Sequence, residues 1–137
     1  MESQDIIKGL VKMILPEEFM EYFNIENIIE HKDTWEVILH EKEERIPKKL
    51  EGKLVVKDGY CNPIELQSFP IKGKTFYIKL YRRRWKEAGS KESYENTYDL
   101  HLEGMKATKE FGAFLKGSFG LTATEFSERW RNIMHRR

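Results

Sequence analysis

Between Ile64 and Trp85 the chain alternates apolar and polar residues on both sides of Lys72-Gly73. Successive residues of a strand point to opposite faces, so such alternation predicts strands. Glycine adopts positive φ at little cost, which makes Lys72-Gly73 the turn of a β-hairpin joining Ile64–Phe69 to Lys74–Trp85. On the second strand one face carries Phe76, Ile78 and Leu80, suited to a core. The other carries Tyr77, Lys79, Tyr81, Arg83 and Trp85. Cations interleaved with flat rings are the chemistry that holds a phosphate backbone and contacts sugars or unstacked bases. From Pro70 to Lys91 there are eight basic residues, Lys72, Lys74, Lys79, Arg82, Arg83, Arg84, Lys86 and Lys91, against the single acid Glu87. With one acid nearby, the three arginines are expected to keep charge free for a polyanion.

This charge is local. Residues 1–51 hold 7 Lys/Arg and 13 Asp/Glu, residues 52–137 hold 17 and 10, and the chain as a whole is only +1. The split divides the chain into an acidic helical segment plus hairpin (1–51) and a basic β-meander with a helical pair (52–137), or the two form one compact domain. Only the basic half is expected to face a polyanion. The length of 137 residues and a hydrophobic fraction of 39% suffice for one modest core, and 12% aromatic residues argue against disorder.

Cys61 is the only cysteine, which excludes an intramolecular disulfide and a cysteine zinc cluster. His31, His40, His101 and His135 are scattered without metal-ligand spacing. No nucleophile elbow, HExxH, phosphate loop or dinucleotide fingerprint occurs. The expectation is a protein without catalysis, metal or cofactor. No apolar run approaches the ~20 residues needed to span a bilayer. The start, MESQDIIKG, lacks the features of a signal peptide, so a cytoplasmic location is expected.

Ile6, Ile7, Leu10, Val11, Ile14 and Leu15 follow helical spacing, and Pro16 ends that helix and opens a second one containing Phe19, Met20, Tyr22 and Phe23. Ile25–Glu30 and Trp35–His40 read as strands around a turn at His31-Lys32-Asp33. Leu54-Val55-Val56 reads as a short strand ended by Asp58-Gly59. Gly89-Ser90 turns the chain towards Tyr98, Leu100 and Leu102, a third strand of an antiparallel meander closed by Gly104. Thr108 is the N-cap of a helix bearing Phe111, Phe114 and Leu115, broken at Gly117 and Gly120. Thr122-x-x-Glu125 is a capping box for a last helix with Phe126, Trp130, Ile133 and Met134. The fold class is therefore α+β. The closing helical pair reads equally as a helix-turn-helix-like unit and as a hairpin packed on the sheet.

The run IELQSFPIKGKTFYIKLYRRRW, followed by TKEFGAFLK, is similar to the N-terminal region of bacterial insertion-sequence transposases. In that family a small zinc-finger-like module precedes a helix-turn-helix and an acidic-triad catalytic domain of ribonuclease-H-like fold. Phe69-Pro70-Ile71-Lys72-Gly73-Lys74 stands at the family's turn and Tyr81-Arg82-Arg83-Arg84-Trp85 at its basic strand. The N-terminal helix ending in Leu15-Pro16 resembles versions encoded as a separate first reading frame. The family's metal cysteines are missing, so its zinc is not carried over, and neither is its catalytic domain. The resemblance implies a non-catalytic transposition protein that binds double-stranded DNA at terminal inverted repeats, beside a separately encoded catalytic subunit. The expected DNA-binding residues are Lys72, Lys74, Tyr77, Lys79, Tyr81, Arg82, Arg83, Arg84, Trp85 and Lys86. Two alternatives stay open: a protein–protein interaction module of a transposase complex, and a small nuclease.

Overall fold

The computed structural model describes residues 3–101, 105–118, 122, 124, 125, 128 and 129. Two helices, α1 (Ser3–Ile14) and α2 (Glu17–Tyr22), precede a hairpin of β1 (Phe23–Glu30) and β2 (Thr34–Glu41). A charged connector with a 3-10 turn at Lys48–Leu50 leads to β3 (Val55–Tyr60), β4 (Ile64–Ile71), β5 (Lys74–Tyr81) and β6 (Arg83–Glu87), and α3 (Lys109–Ser118) follows. The architecture is α+β, as expected, with two mostly antiparallel sheets. Pro16 breaks the helices where the sequence places the break, but Phe23 opens β1 rather than extending α2.

The four-stranded sheet has the order β1-β2-β5-β4. Its two hairpins are joined through β2 and β5, which run parallel, Thr34 opposite Thr75 and His40 opposite Tyr81. A simple antiparallel meander is thereby corrected. Period-two alternation fixes which face a residue occupies, not which strand lies alongside. The charge boundary near Gly52 does not divide this sheet, which takes two strands from each side of it.

Trp35, Val37 and Leu39 of β2 lie beside Phe76, Ile78 and Leu80 of β5 on one face. That face meets Leu15, Phe19 and Phe23 in a single core with Leu66 and Leu100. Between β4 and β5 the predicted turn is present: Lys72 has φ 50° and Gly73 φ 75°, the left-handed pair of a tight hairpin turn.

Lys74–Trp85 is not one strand. The chain leaves the large sheet at Arg82, and β6 pairs antiparallel with β3 in a separate two-stranded sheet. Asp58-Gly59 does not end β3; Gly59, at φ 78°, lies within an irregularity between Lys57 and Tyr60. Tyr98 and Leu100 form no third strand. Isolated bridges at Trp85–Tyr94 and His101–Thr108 bracket that segment, and Leu100 is buried without a ladder. Leu102 and Gly104 lie outside the described residues.

Thr108 caps α3 as expected, its Oγ1 accepting from the Phe111 amide at 3.3 Å. Gly117 does not break this helix, which runs to Ser118. Phe111 and Leu115 bury with Ala107, and Phe69 contacts Phe111 and Phe114. The capping box forms in both directions: the Glu125 amide donates to Thr122 Oγ1 at 3.2 Å, and the Thr122 amide to Glu125 Oε2 at 3.4 Å. Phe119, Gly120, Phe126, Trp130, Ile133 and Met134 lie outside the described residues. No helix among the described residues is long and apolar enough to cross a membrane.

Ile78 is fully buried at the middle of the central strand pair. Ile78→Ala should cost about 2–5 kcal/mol in a urea titration, the range for deleting a buried aliphatic side chain. A loss below about 1 kcal/mol would show that the β2–β5 seam is not the centre of the core.

Candidate nucleic-acid interface

Opposite the core face, β2 and β5 present a second row of side chains. Glu36, Ile38 and His40 lie beside Tyr77, Lys79 and Tyr81, all of intermediate exposure. Tyr77, Lys79 and Tyr81 are thus on the side that the alternation predicts. At the end of this row the rings of His40 and Tyr81 meet at 5.2 Å, and Tyr60 of β3 joins them at 4.9 Å from His40 and 6.2 Å from Tyr81. The Arg83 guanidinium lies 5.1 Å from the centre of the Tyr60 ring, within cation–π range. His40 and Tyr60 are additions to the predicted set. Period two places His40 on this face, whereas Tyr60 arrives there through pairing with Arg83, which no local pattern announces.

The predicted cations are not equally free. Lys74 Nζ donates to Glu30 and to the His31 carbonyl, both at 2.7 Å. Lys79 lies 3.1 Å from Glu36 and 3.9 Å from Glu65. These acids come from β1, β2 and β4, the neighbours that sheet formation supplies. Burial alone would raise the Glu36 carboxyl, but hydrogen bonds from Lys79 and His31 outweigh it and hold its pKa below the ordinary value. The same pairing holds Lys79 above its usual value.

The three arginines point to three different partners. Arg82 donates from Nη1 to the Asn96 carbonyl at 3.0 Å. Arg83 donates its amide to Glu41 Oε1 at 2.9 Å and its Nε to the Glu41 carbonyl at 2.8 Å, with Glu43 at 3.9 Å. Arg84 is exposed and donates from Nε to the Asp58 carbonyl at 3.1 Å. Scarcity of acids within the hairpin therefore does not leave the arginines unpartnered; carbonyls and carboxylates distant in sequence bind them. Lys86 is half-exposed and, with Arg84, helps to lower the Asp58 pKa, chiefly set by the Ser93 hydroxyl. Lys72, on the tight turn, makes no ion pair among the described residues.

Trp85 corrects the predicted face. It is 4% exposed, in the interior rather than on the surface, because the switch of sheets at Arg82 resets the alternation. Its backbone exchanges two hydrogen bonds with Tyr94, at 2.8 and 2.7 Å.

Glu41 anchors the junction between the sheets. This carboxylate is 1% exposed; besides the Arg83 amide it accepts from Asn96 Nδ2 at 3.1 Å and from the Tyr98 hydroxyl. Burial and the Glu41 hydrogen bond push Tyr98 up to about 12. Arg45 lies 4.4 Å over the Tyr22 ring, completing the cluster around Tyr98. Cys61 is half-buried, its thiol pushed up by burial. Among the described residues no group of three or more His, Cys, Asp and Glu is arranged to hold a metal ion.

Comparison with models of known families, with curated proteins and with solved structures finds no match for this chain.

Trp85→Ala should destabilise the fold by about 3–5 kcal/mol, as truncation of a buried tryptophan does; an unchanged denaturation midpoint would return Trp85 to the surface. A second expectation concerns acid. Because the Glu36 pKa is depressed in the folded state, its contribution is present above the unfolded value near 4.5 and is lost as pH falls through the folded one. Melting temperatures of wild type and Glu36→Gln should converge as pH is lowered below that value. A constant gap from neutral to acid pH would rule out the pairing with Lys79 and His31 as its source.

Proposed function

We propose that this chain is a non-catalytic DNA-binding component of an insertion-sequence transposase, holding double-stranded DNA at the element's terminal inverted repeats beside a separately encoded catalytic subunit. The observation that carries the reading is the aromatic row ending in His40, Tyr60 and Tyr81, with the exposed Arg84 three residues beyond Tyr81 in sequence. It puts the Tyr81 ring, from the run Ile64–Trp85 that resembles the family, beside the His40 and Tyr60 rings of β2 and β3, on the side of the sheet away from the core. Rings on a strand face offer flat contact to sugars and bases, and guanidinium and ammonium groups offer contact to phosphates.

In this reading Arg84, Lys86 and Lys72 make the phosphate contacts, since they are the hairpin cations least engaged within the fold. Tyr77, Tyr81 and Tyr60 supply contact area. Lys74, Lys79, Arg82 and Arg83 hold the sheets together and contribute less to binding, and Trp85 supports the scaffold. A second reading, a protein–protein module without direct DNA contact, is favoured by the ion pairs that neutralise Lys74 and Lys79.

A salt titration of duplex binding separates the two. Each phosphate contact steepens the dependence of log K on log salt by about 0.9. Replacing Arg84 and Lys86 together by Gln should flatten the slope by nearly two such steps and weaken specific and random duplexes alike. Tyr81→Ala should weaken binding with the slope unchanged. No duplex binding by the folded wild-type chain at low salt would reject the proposal and favour the protein-interaction reading.

A further inference from the structure

Two hairpin turns meet at one end of the large sheet, where the Thr75 amide donates to the Asp33 carbonyl at 3.2 Å. Beside them, between α1 and the core face of the sheet, lies an apolar cavity of about 370 Å³, whose lining includes Ile7, Ile28, Val37 and Phe76. Its walls are almost wholly carbon. α1 spans one side of it with none of its own residues buried, held by Val11 and by Leu15 just beyond its end. Two polar residues stand in this lining. Lys72, on the β4–β5 turn, is the only charged one among the described residues that line it, and it makes no ion pair among the described residues. Trp35 also lines the cavity, and its indole Nε1 is buried without a hydrogen-bond partner among the described residues.

We propose that this cavity binds a single-chain amphiphile with an anionic head, a medium-chain carboxylate, its tail between α1 and the sheet and its head at the two turns. The volume lies within the roughly 300–1,000 Å³ of small-molecule sites, which are mostly apolar with a few placed polar groups. Carbon walls give water nothing to hydrogen-bond, so a hydrocarbon tail is the fitting occupant. The sign of the head follows from charge. The stem of Lys72 lines the wall and leaves its ammonium at the rim. The two turns and their flanks carry Lys32, Lys72 and Lys74 against Glu30 and Asp33. Glu30 is held by Lys74 at 2.7 Å, which leaves Lys72 to pair with a ligand. A buried donor without an acceptor is costly, and a head-group oxygen would satisfy Trp35 Nε1. The cavity lies on the face of the sheet opposite the aromatic row, and Lys72 is the one residue it shares with the proposed DNA contacts.

Isothermal titration calorimetry of the full chain with hexanoate, octanoate and decanoate, each kept below its micelle concentration, tests this. One site per chain is expected, with affinity rising about fourfold for each added methylene, as burial of a hydrocarbon tail requires. Decanoate should bind more tightly than decanol or decyltrimethylammonium. Lys72→Gln should weaken decanoate at least about threefold and leave decanol unchanged. Ile7→Trp fills the cavity from the helix side and should abolish binding with an unchanged circular dichroism spectrum. Ile28→Trp does the same from β1 and serves if the helix variant does not fold. No saturable binding of decanoate would overturn the proposal. So would binding that the folded tryptophan variants leave intact, which would place the ligand elsewhere. Decanol bound as tightly as decanoate, with Lys72→Gln without effect, would overturn the anionic head. Binding to phosphatidylcholine–phosphatidylserine vesicles with none to monomeric decanoate would overturn it in favour of a membrane surface.

Discussion

The parallel pairing of β2 with β5 is the contact on which the rest of the structure depends. Each strand already belongs to a hairpin, and joining them along one edge turns two hairpins into one sheet with one core. The join supplies the apolar partners, Val37 with Ile78 and Leu39 with Leu80. It also supplies the electrostatic ones, since Lys79 finds Glu36 across the seam and Lys74 reaches Glu30 one strand further. The acidic and basic halves of the sequence are therefore two sides of one sheet's internal neutralisation.

The junction at Arg82 has a comparable influence over a shorter range. The backbone passes from the large sheet to the small one within a single residue, and Glu41 holds the crossing by accepting from the Arg83 amide, Asn96 and Tyr98. A buried carboxylate is costly unless its oxygens are satisfied, and here both are. The arginine triplet occupies three environments because it straddles this crossing: one residue against the 94–100 segment, one against the end of β2, one towards solvent.

Features governed by local chemistry were legible in the sequence. Pro16 separates two helices, Lys72-Gly73 turns a hairpin, Thr108 caps α3, and Thr122 with Glu125 exchanges the two bonds of a capping box. The alternation through Phe76, Ile78 and Leu80 names the core face correctly. What depends on distant neighbours was not legible. Alternation carries no information about parallel partners, so the sheet order was missed. Tyr98 and Leu100 alternate because both meet the core, not because they pair in a ladder. Trp85 continues the pattern of Tyr77 and Tyr81 in sequence, but a change of sheet lies between them. In the candidate interface, the tyrosine row on β5 and the face of His40 on β2 are legible from alternation, whereas the Tyr60 ring arrives only through the β3–β6 pairing.

The same seam has a consequence for how the chain acquires its structure. Glu41 and Arg83, which close one end of it, are 42 residues apart in sequence, whereas both flanking hairpins are local. Local hairpins close within microseconds, and distant pairings must first overcome the entropy of closing a long loop. The β1–β2 hairpin is synthesised before β5, which leaves the inner edge of β2 without its partner strand. It stays so until β5 has been made. An apolar strand edge awaiting its partner is a template for the wrong one, so the step that unites the fold is also the step at which nascent chains are most exposed to mispairing with one another.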